Sequence, residues 1–96
     1  MNKNTTQPSA AEVQLAATLP QTSLAGIASL IRRDWKKVYF GAVPYLEALA
    51  CLNDIGEAYG ADSGRSVVAY FMANANTWRG PVARAIKAEL NKRLKS

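Results

Sequence analysis

Side chains that could carry out chemistry are few in this 96-residue sequence, and their spacing argues against an active site. The chain has no histidine, so the usual base of a nucleophilic triad is missing. Glu47, Asp54 and Glu57 could supply a pair of carboxylates, but they recur as the solvated face of a helix would. Gly60 and Gly64 bracket the nearest approach to a phosphate-binding loop, which lacks the lysine that should follow it and the strand that should precede it. We therefore predict a protein without catalytic activity.

The single cysteine, Cys51, cannot form an internal disulfide, which fits a reducing, cytoplasmic setting. One cysteine without any histidine cannot build a zinc-type centre, so neither a metal nor another cofactor is expected. We predict that Cys51 is a small buried hydrophobe on a helix rather than a reactive thiol. The N-terminus lacks a long apolar run, so we expect neither a signal peptide nor a membrane span.

The net charge of +5 is concentrated in two clusters of basic residues. The first cluster consists of Arg32, Arg33, Lys36 and Lys37, with Asp34 among them as the one acid. The second lies on the last helix and consists of Arg84, Lys87, Lys92, Arg93 and Lys95, with Glu89 as the one acid. Such clusters permit binding to nucleic acid, to an acidic protein surface or to an anionic membrane, and they select none of these. The simpler interpretation of the second cluster is a solvated helix face whose cations favour the helix C-terminus.

Aromatic side chains give a second kind of candidate contact. Most of them fall on apolar helical stripes and are predicted to pack in the core, whereas Tyr39, Phe40 and Tyr70 fit those stripes poorly and could be exposed. Together with the cations, they form the set of candidate contacts to a partner or to nucleic acid: Arg32, Arg33, Lys36, Lys37, Tyr39, Phe40, Tyr70, Arg79, Arg84 and Lys87.

Apolar residues recur at spacings of three and four along most of the chain, which predicts an all-α fold. We predict a disordered tail over residues 1–8 and a single helical domain over residues 9–96. The domain is predicted to be a compact bundle of four main helices, near residues 24–38, 42–59, 64–78 and 82–95, preceded by a short helix from Ser9 to Leu19. No stretch alternates between apolar and polar residues, so no sheet is predicted.

The pair Gly80 and Pro81 predicts a hinge between the last two helices. Glycine adopts the positive φ that ends a helix, and proline suits the first helical position because its missing N–H is not needed there. The same periodicity predicts that six large residues of the stripes are buried: Trp35, Leu49, Leu52, Phe71, Ile86 and Leu90.

Several short segments together resemble small uncharacterised proteins of bacteriophages, plasmids and other mobile elements. The resemblance spans about residues 24–95 and is carried by Ile31-Arg-Arg-Asp-Trp35, Tyr39-Phe-Gly-Ala-Val-Pro-Tyr-Leu46, Tyr59-Gly-Ala-Asp62, Tyr70-Phe71, Thr77-Trp-Arg-Gly80 and Ile86-Lys-Ala-Glu-Leu90. What it implies is context alone, namely a cytoplasmic accessory protein encoded on a mobile element. It implies no activity, cofactor or functional residue.

Two functions compete, with an enzyme ranked below both. The favoured hypothesis is a small regulatory or inhibitory protein that binds another protein, and self-association is a variant of it. The alternative is a nucleic-acid-binding protein that uses the basic clusters. If the two clusters merge into one surface, nucleic acid is favoured. If an apolar patch with Tyr39, Phe40 or Tyr70 is exposed, a protein partner is favoured.

Overall fold

The computed structural model describes residues 10–96, which are mostly helical. The α-helices are α1 (Ala10–Thr18), α2 (Leu24–Asp34), α3 (Val43–Leu49), α4 (Gly64–Ala73) and α5 (Pro81–Lys95). Short 3-10 turns at Leu19–Gln21 and Phe40–Ala42 precede α2 and α3, and the strands β1 (Ala58–Tyr59) and β2 (Asp62–Ser63) pair antiparallel before α4. A mostly helical fold is thus confirmed, whereas the predicted tail at residues 1–8 lies outside the described residues.

Local side-chain chemistry explains where three of the helices begin. The hydroxyls of Ser23 and Ser63 each accept a hydrogen bond from the backbone N–H three residues later, at 3.0 Å, and so cap α2 and α4. Gly80 has φ 113° and Pro81 is the first residue of α5. The predicted hinge is therefore confirmed, because one residue permits the positive φ and the next starts the helix.

The third predicted helix is too long, because α3 ends at Leu49 and the prediction extended it to Tyr59. Beyond it, Asp54 Oδ1 accepts from the Gly56 N–H at 2.8 Å, and Glu57 Oε1 accepts from the Asn53 N–H at 2.9 Å. Such short-range bonds offer the backbone an alternative to a helix. The carbonyls of residues 52 and 53 also accept from the first turn of α2, which fixes this loop against that helix.

The expectation of no sheet is wrong in one small place. In the hairpin, Ala58 pairs with Ser63 and Tyr59 with Asp62, around a turn at Gly60 that has φ 60°. Strands of two residues are too short to produce an alternating pattern. Cys51, which was expected to be buried on a helix, is exposed because the helix has already ended before it.

One apolar core lies between the helices and fixes the position of everything described below. All six large residues predicted to be buried are buried: Trp35, Leu49, Leu52, Phe71, Ile86 and Leu90. The rings of Trp35 and Trp78 stack with their centroids 5.7 Å apart, and Phe71 meets both edge-on. At the N-terminal helix α1, Val13 is exposed and Leu15 packs against the core, and Leu19 just after the helix is buried.

Candidate functional site

An exposed aromatic pair follows the bend after α2. Phe40 is 79% exposed and Tyr39 is 44% exposed, and their ring centroids lie 4.9 Å apart. The 3-10 turn at Phe40–Ala42 holds the pair in place, because the buried Ala42 fixes the backbone while Phe40 points outward. Exposed apolar side chains that lie side by side, unlike single ones, often mark a contact surface, so this pair is the starting point of the site.

The backbone at Gly41 lies against the ring of Tyr39 and the side chain of Asn74. A Cβ atom on Gly41 would fall 2.5 Å from Tyr39 Cε2 and 2.8 Å from Asn74 Oδ1. Both distances are too short for a carbon atom, so a side chain at this position would displace the Tyr39 ring and the Asn74 amide. This packing joins the aromatic pair to the C-terminal end of α4.

A second aromatic pair lies where α3 and α4 pack together. The rings of Tyr45 on α3 and Tyr70 on α4 have centroids 5.4 Å apart, and Tyr70 is 52% exposed. Asn74 Nδ2 donates to the Tyr70 carbonyl at 2.8 Å, so the residue beside Gly41 is also tied to Tyr70. We use the term aromatic face for Tyr39, Phe40, Val43, Tyr45 and Tyr70.

The aromatic face is built from two segments that carry no charged residue. Residues 38–46 contribute Tyr39, Phe40, Val43 and Tyr45, and residues 66–78 contribute Tyr70. On the outer side of α4, the neighbours of Tyr70 are the exposed Ala69 and Ala73. An exposed helix surface normally carries charged residues. Their absence leaves an uncharged surface of aromatic and small side chains.

A shallow cavity of about 260 Å³ opens at one end of the aromatic face. It is lined by Tyr39, Ala73, Asn74, Asn76 and Thr77. Its volume is slightly below the range usual for small-molecule sites, about 300–1,000 Å³. The cavity has room for a single side chain of a partner, and its amide and hydroxyl groups could hydrogen-bond to it.

The first basic cluster lies beside the aromatic face. Lys36 and Lys37 are exposed in the bend that precedes Tyr39. Because only two or three residues separate them from Tyr39, they must lie near the aromatic pair. Arg32 is exposed in the last turn of α2, whereas Arg33 lines a different cavity beneath α1. The cluster is therefore divided between two sides of α2.

The packing of Trp78 places the next residue, Arg79, near the cavity beside Tyr39. Trp78 stacks on Trp35, and its indole Nε1–H donates to Asp34 Oδ2 at 2.8 Å. Arg79 is exposed and its Nε donates to the Asn76 carbonyl at 3.4 Å, close to the residues that line the cavity. We use the term basic end for Lys36, Lys37 and Arg79.

Three of the five cations in the second basic cluster have partners within the protein. Lys87 Nζ donates to the carbonyls of Ala75 and Trp78 at 2.8 and 2.6 Å and lies 5.8 Å from the centre of the Trp78 ring. Burial lowers the pKa of Lys87 from its ordinary value of 10.5, and the charge of Arg79 lowers it further. The interpretation of this helix face as simply solvated is therefore wrong at Lys87.

Arg84 and Arg93 also have partners on the protein. Arg84 Nη2 lies 3.2 Å from Glu12 Oε1, which joins α5 to α1. Arg93 Nε lies 2.7 Å from Glu89 Oε2, and its Nη2 donates to the carbonyls of Leu19 and Thr22, both at 2.8 Å. Sequence reasoning missed the role of Arg93, because its carbonyl partners are more than seventy residues away in the chain. The one feature of the sequence that indicated this role was the spacing of Glu89 and Arg93, because residues four apart on a helix can form an ion pair.

Among residues 10–96, no helix is both long and apolar enough to cross a membrane. In the same part of the chain, no group of three or more His, Cys, Asp or Glu residues is placed to hold a metal ion. The chain matches no protein-family model, no curated protein and no solved structure.

Proposed function

We propose that this chain is a small non-catalytic accessory protein that regulates or inhibits a protein partner by binding it through the aromatic face. The observation that carries the proposal is the exposure of Tyr39, Phe40 and Tyr70 on a surface formed by two charge-free segments. Leaving these rings in water is unfavourable, at about 25 cal/mol for each Å² of apolar surface. A partner that covers them recovers that free energy.

The composition of the aromatic face matches the centre of a protein interface. Interface cores are depleted in charged residues and enriched in tyrosine and phenylalanine, while charged residues occupy the rim. Aromatic side chains near the centre commonly dominate the binding energy. Here the exposed rings occupy the uncharged centre, and Lys36 and Lys37 lie beside it.

The helices α2 to α5 serve in this proposal as a bundle that holds the aromatic face rigid. Tyr45 and Tyr70 belong to packed helices, and the Tyr39 ring lies against Gly41, close to Asn74 at the end of α4. A cytoplasmic location agrees with the single cysteine, and a mobile-element context rests on the sequence resemblance alone.

A nucleic-acid-binding function is the second candidate, and one observation favours it. The pair Tyr39 and Phe40 directly follows Lys36 and Lys37, and proteins that bind single strands combine stacking aromatics with cations that contact phosphates. Its weakness is the second basic cluster, because Lys87 and Arg93 donate to backbone carbonyls and Arg84 pairs with Glu12. Within residues 10–96, only Lys92 and Lys95 of that cluster remain exposed without such a contact.

Affinity capture from the native host tests the proposal when it is controlled for nucleic acid. The bait is the full chain, and the extract is treated with nuclease. We expect a protein that is retained by the wild type and lost with Phe40→Ser. Tyr59→Ser is the matched control, because Tyr59 is also an exposed aromatic residue but lies in the hairpin, outside the aromatic face.

Two results would contradict the proposal. The first is a partner that binds Phe40→Ser as well as it binds the wild type. The second is salt-sensitive binding to oligonucleotides in a fluorescence-anisotropy titration, with a log–log slope of about −0.9 for each phosphate contacted on duplex DNA. That second result would establish the nucleic-acid function in place of the protein one.

A further inference from the structure

The three cations of the basic end lack an ion-pair partner within residues 10–96. The ion pairs in this part of the chain are Arg84 with Glu12 and Arg93 with Glu89. Lys36, Lys37 and Arg79 are exposed around the end of the molecule where Tyr39 and the cavity lie. Exposed cations with no carboxylate of their own are available to a carboxylate from outside.

The one acid inside the first cluster is already engaged. Asp34 Oδ2 accepts the indole N–H of the buried Trp78 at 2.8 Å, which orients its carboxylate toward the core side. Asp34 therefore compensates part of the local charge but leaves the basic end positive. The aromatic face thus has an uncharged centre and a positive edge at this end, while the exposed Glu47, one turn after Val43 on α3, borders it elsewhere.

We infer that the partner surface is an acidic protein segment that places one apolar side chain on the aromatic face and its carboxylates against Lys36, Lys37 and Arg79. The inference rests on the proposed function and specifies the chemistry of the partner. The apolar side chain covers Phe40 and Tyr70 or enters the cavity beside Tyr39. The carboxylates supply the charge complementarity that the edge lacks, which raises the association rate and fixes the orientation.

A second copy of this chain fits the aromatic face less well than an acidic partner does. Each copy carries a net charge of +5, so the basic end of one copy would approach another positive molecule. Asp54 and Glu57 already accept hydrogen bonds from their own loop, which leaves Glu47 and Asp62 as the exposed acids of residues 10–96 whose carboxylates have no hydrogen bond or ion pair. Two carboxylates on separate elements are too few to compensate three cations of another copy.

Nucleic acid also fits less well, because its phosphates require cations throughout the contact. Protein–DNA interfaces are much more positively charged than protein–protein interfaces. The centre of this surface has no cation at all within residues 38–46 and 66–78. The positive charge is confined to one edge, as it is at the rim of a protein interface.

A library of random linear peptides displayed on yeast tests the inference directly, with the full-length protein as bait. We expect the selected peptides to be enriched in Asp and Glu next to a large apolar residue. For the best peptide made synthetically, Lys36→Glu/Lys37→Glu should weaken binding by about tenfold or more. The same charge-reversed variant should itself select peptides enriched in Lys and Arg.

The matched control is Lys92→Glu/Lys95→Glu, which makes the same change in net charge with two exposed residues at the end of α5. It should leave peptide affinity within about twofold of the wild type, because charges beyond about 10 Å are largely screened. If both double variants weaken binding equally, the effect is one of net charge and the inference is wrong. Thermal denaturation of each variant checks that the fold is intact.

The remaining outcomes separate the inference from the proposed function. Peptides that need Phe40 but show no acidic enrichment would overturn the inference and leave the protein-binding function standing. Selected peptides that bind Phe40→Ser as well as the wild type would overturn both. Displacement of the best peptide by oligothymidine at physiological salt would also overturn the inference, in favour of single-stranded nucleic acid.

Discussion

The indole Nε1–H of Trp78 donates to the carboxylate of Asp34 at 2.8 Å and thereby joins the α4–α5 hinge to the end of α2. Trp78 is 2% exposed, so Asp34 supplies the acceptor for an N–H that is largely withdrawn from water. The bond holds Arg79 near the first basic cluster and keeps the stack with Trp35 in register. This hydrogen bond and the ring stack together join two segments of the candidate site that are far apart in the sequence.

Asp34→Ala should destabilise the protein by about 1–3 kcal/mol, because it leaves a buried donor without a partner. Asp34→Asn keeps an acceptor oxygen in the same place and should recover most of the loss. Urea denaturation followed by tryptophan fluorescence measures both variants. Equal losses for alanine and asparagine would show that the negative charge of Asp34, and not the hydrogen bond, stabilises the hinge.

Lys87→Met should destabilise the protein at neutral pH by about 1–3 kcal/mol. The carbonyls of Ala75 and Trp78 each lose a donor, and methionine keeps much of the apolar length of the side chain. Chemical denaturation measures the change, and Lys92→Met is the control because Lys92 is exposed on the same helix. An equal effect of the two substitutions would contradict the role assigned to Lys87.

Lys87 should also give the stability a pH dependence of known sign. Its pKa in the folded protein is below the ordinary 10.5, so between these two values the unfolded chain binds more protons. The free energy of unfolding of the wild type, relative to Lys87→Met, should therefore rise with pH through this window. This gain in stability is complete above pH 10.5 and is lost as the pH falls through the lowered pKa of Lys87. A relative stability that falls with rising alkaline pH would contradict the burial of this ammonium.

Gly41→Ala should disturb the aromatic face while leaving the core intact. The added methyl would lie 2.5 Å from the Tyr39 ring, so the ring must move away from α4. We expect a stability loss of about 1 kcal/mol and a clear loss of partner affinity. A double-mutant cycle with Tyr39→Ala tests the cause, since the methyl group should have a smaller effect once the ring is gone. Full additivity would show that the methyl acts elsewhere.

Arg93→Ala should be among the most destabilising surface-proximal substitutions, at about 3–5 kcal/mol. It leaves the carboxylate of Glu89 unpaired at 8% exposure and removes the donor from the carbonyls of Leu19 and Thr22. Lys92→Ala, one residue earlier and exposed, should change stability by about 0.5 kcal/mol or less. Denaturant titrations of the two variants give the comparison, and similar midpoints would contradict the role of Arg93.

Local chemistry explains which parts of the fold the sequence predicted correctly. The hinge at Gly80 and Pro81 follows from the conformational limits of those two residues. Burial of Phe71 and Ile86 follows from helical periodicity, since both lie on one stripe of their helix. The exposure of Tyr70 was visible for the same reason, because it falls off the stripe of α4.

The missed features depend on contacts between distant residues. The end of α3 at Leu49 is set partly by bonds from its following loop to the first turn of α2, which no local pattern reveals. The hydrogen bonds from Lys87 to two carbonyls could not be predicted without knowing where the chain turns after α4. For the site, the candidate residues could be named from the sequence, but their division into an aromatic face and a basic end could not.

Site-specific photo-crosslinking tests the central claim, that the aromatic face binds a protein. A benzophenone amino acid replaces Phe40, which is 79% exposed, and in a second variant replaces Tyr59, which is 43% exposed and lies in the hairpin. Both are irradiated in the native host and treated with nuclease before electrophoresis. The proposal predicts a discrete protein adduct from position 40 and none of that size from position 59. Identical adducts from both positions, or an adduct at position 40 that nuclease removes, would contradict it.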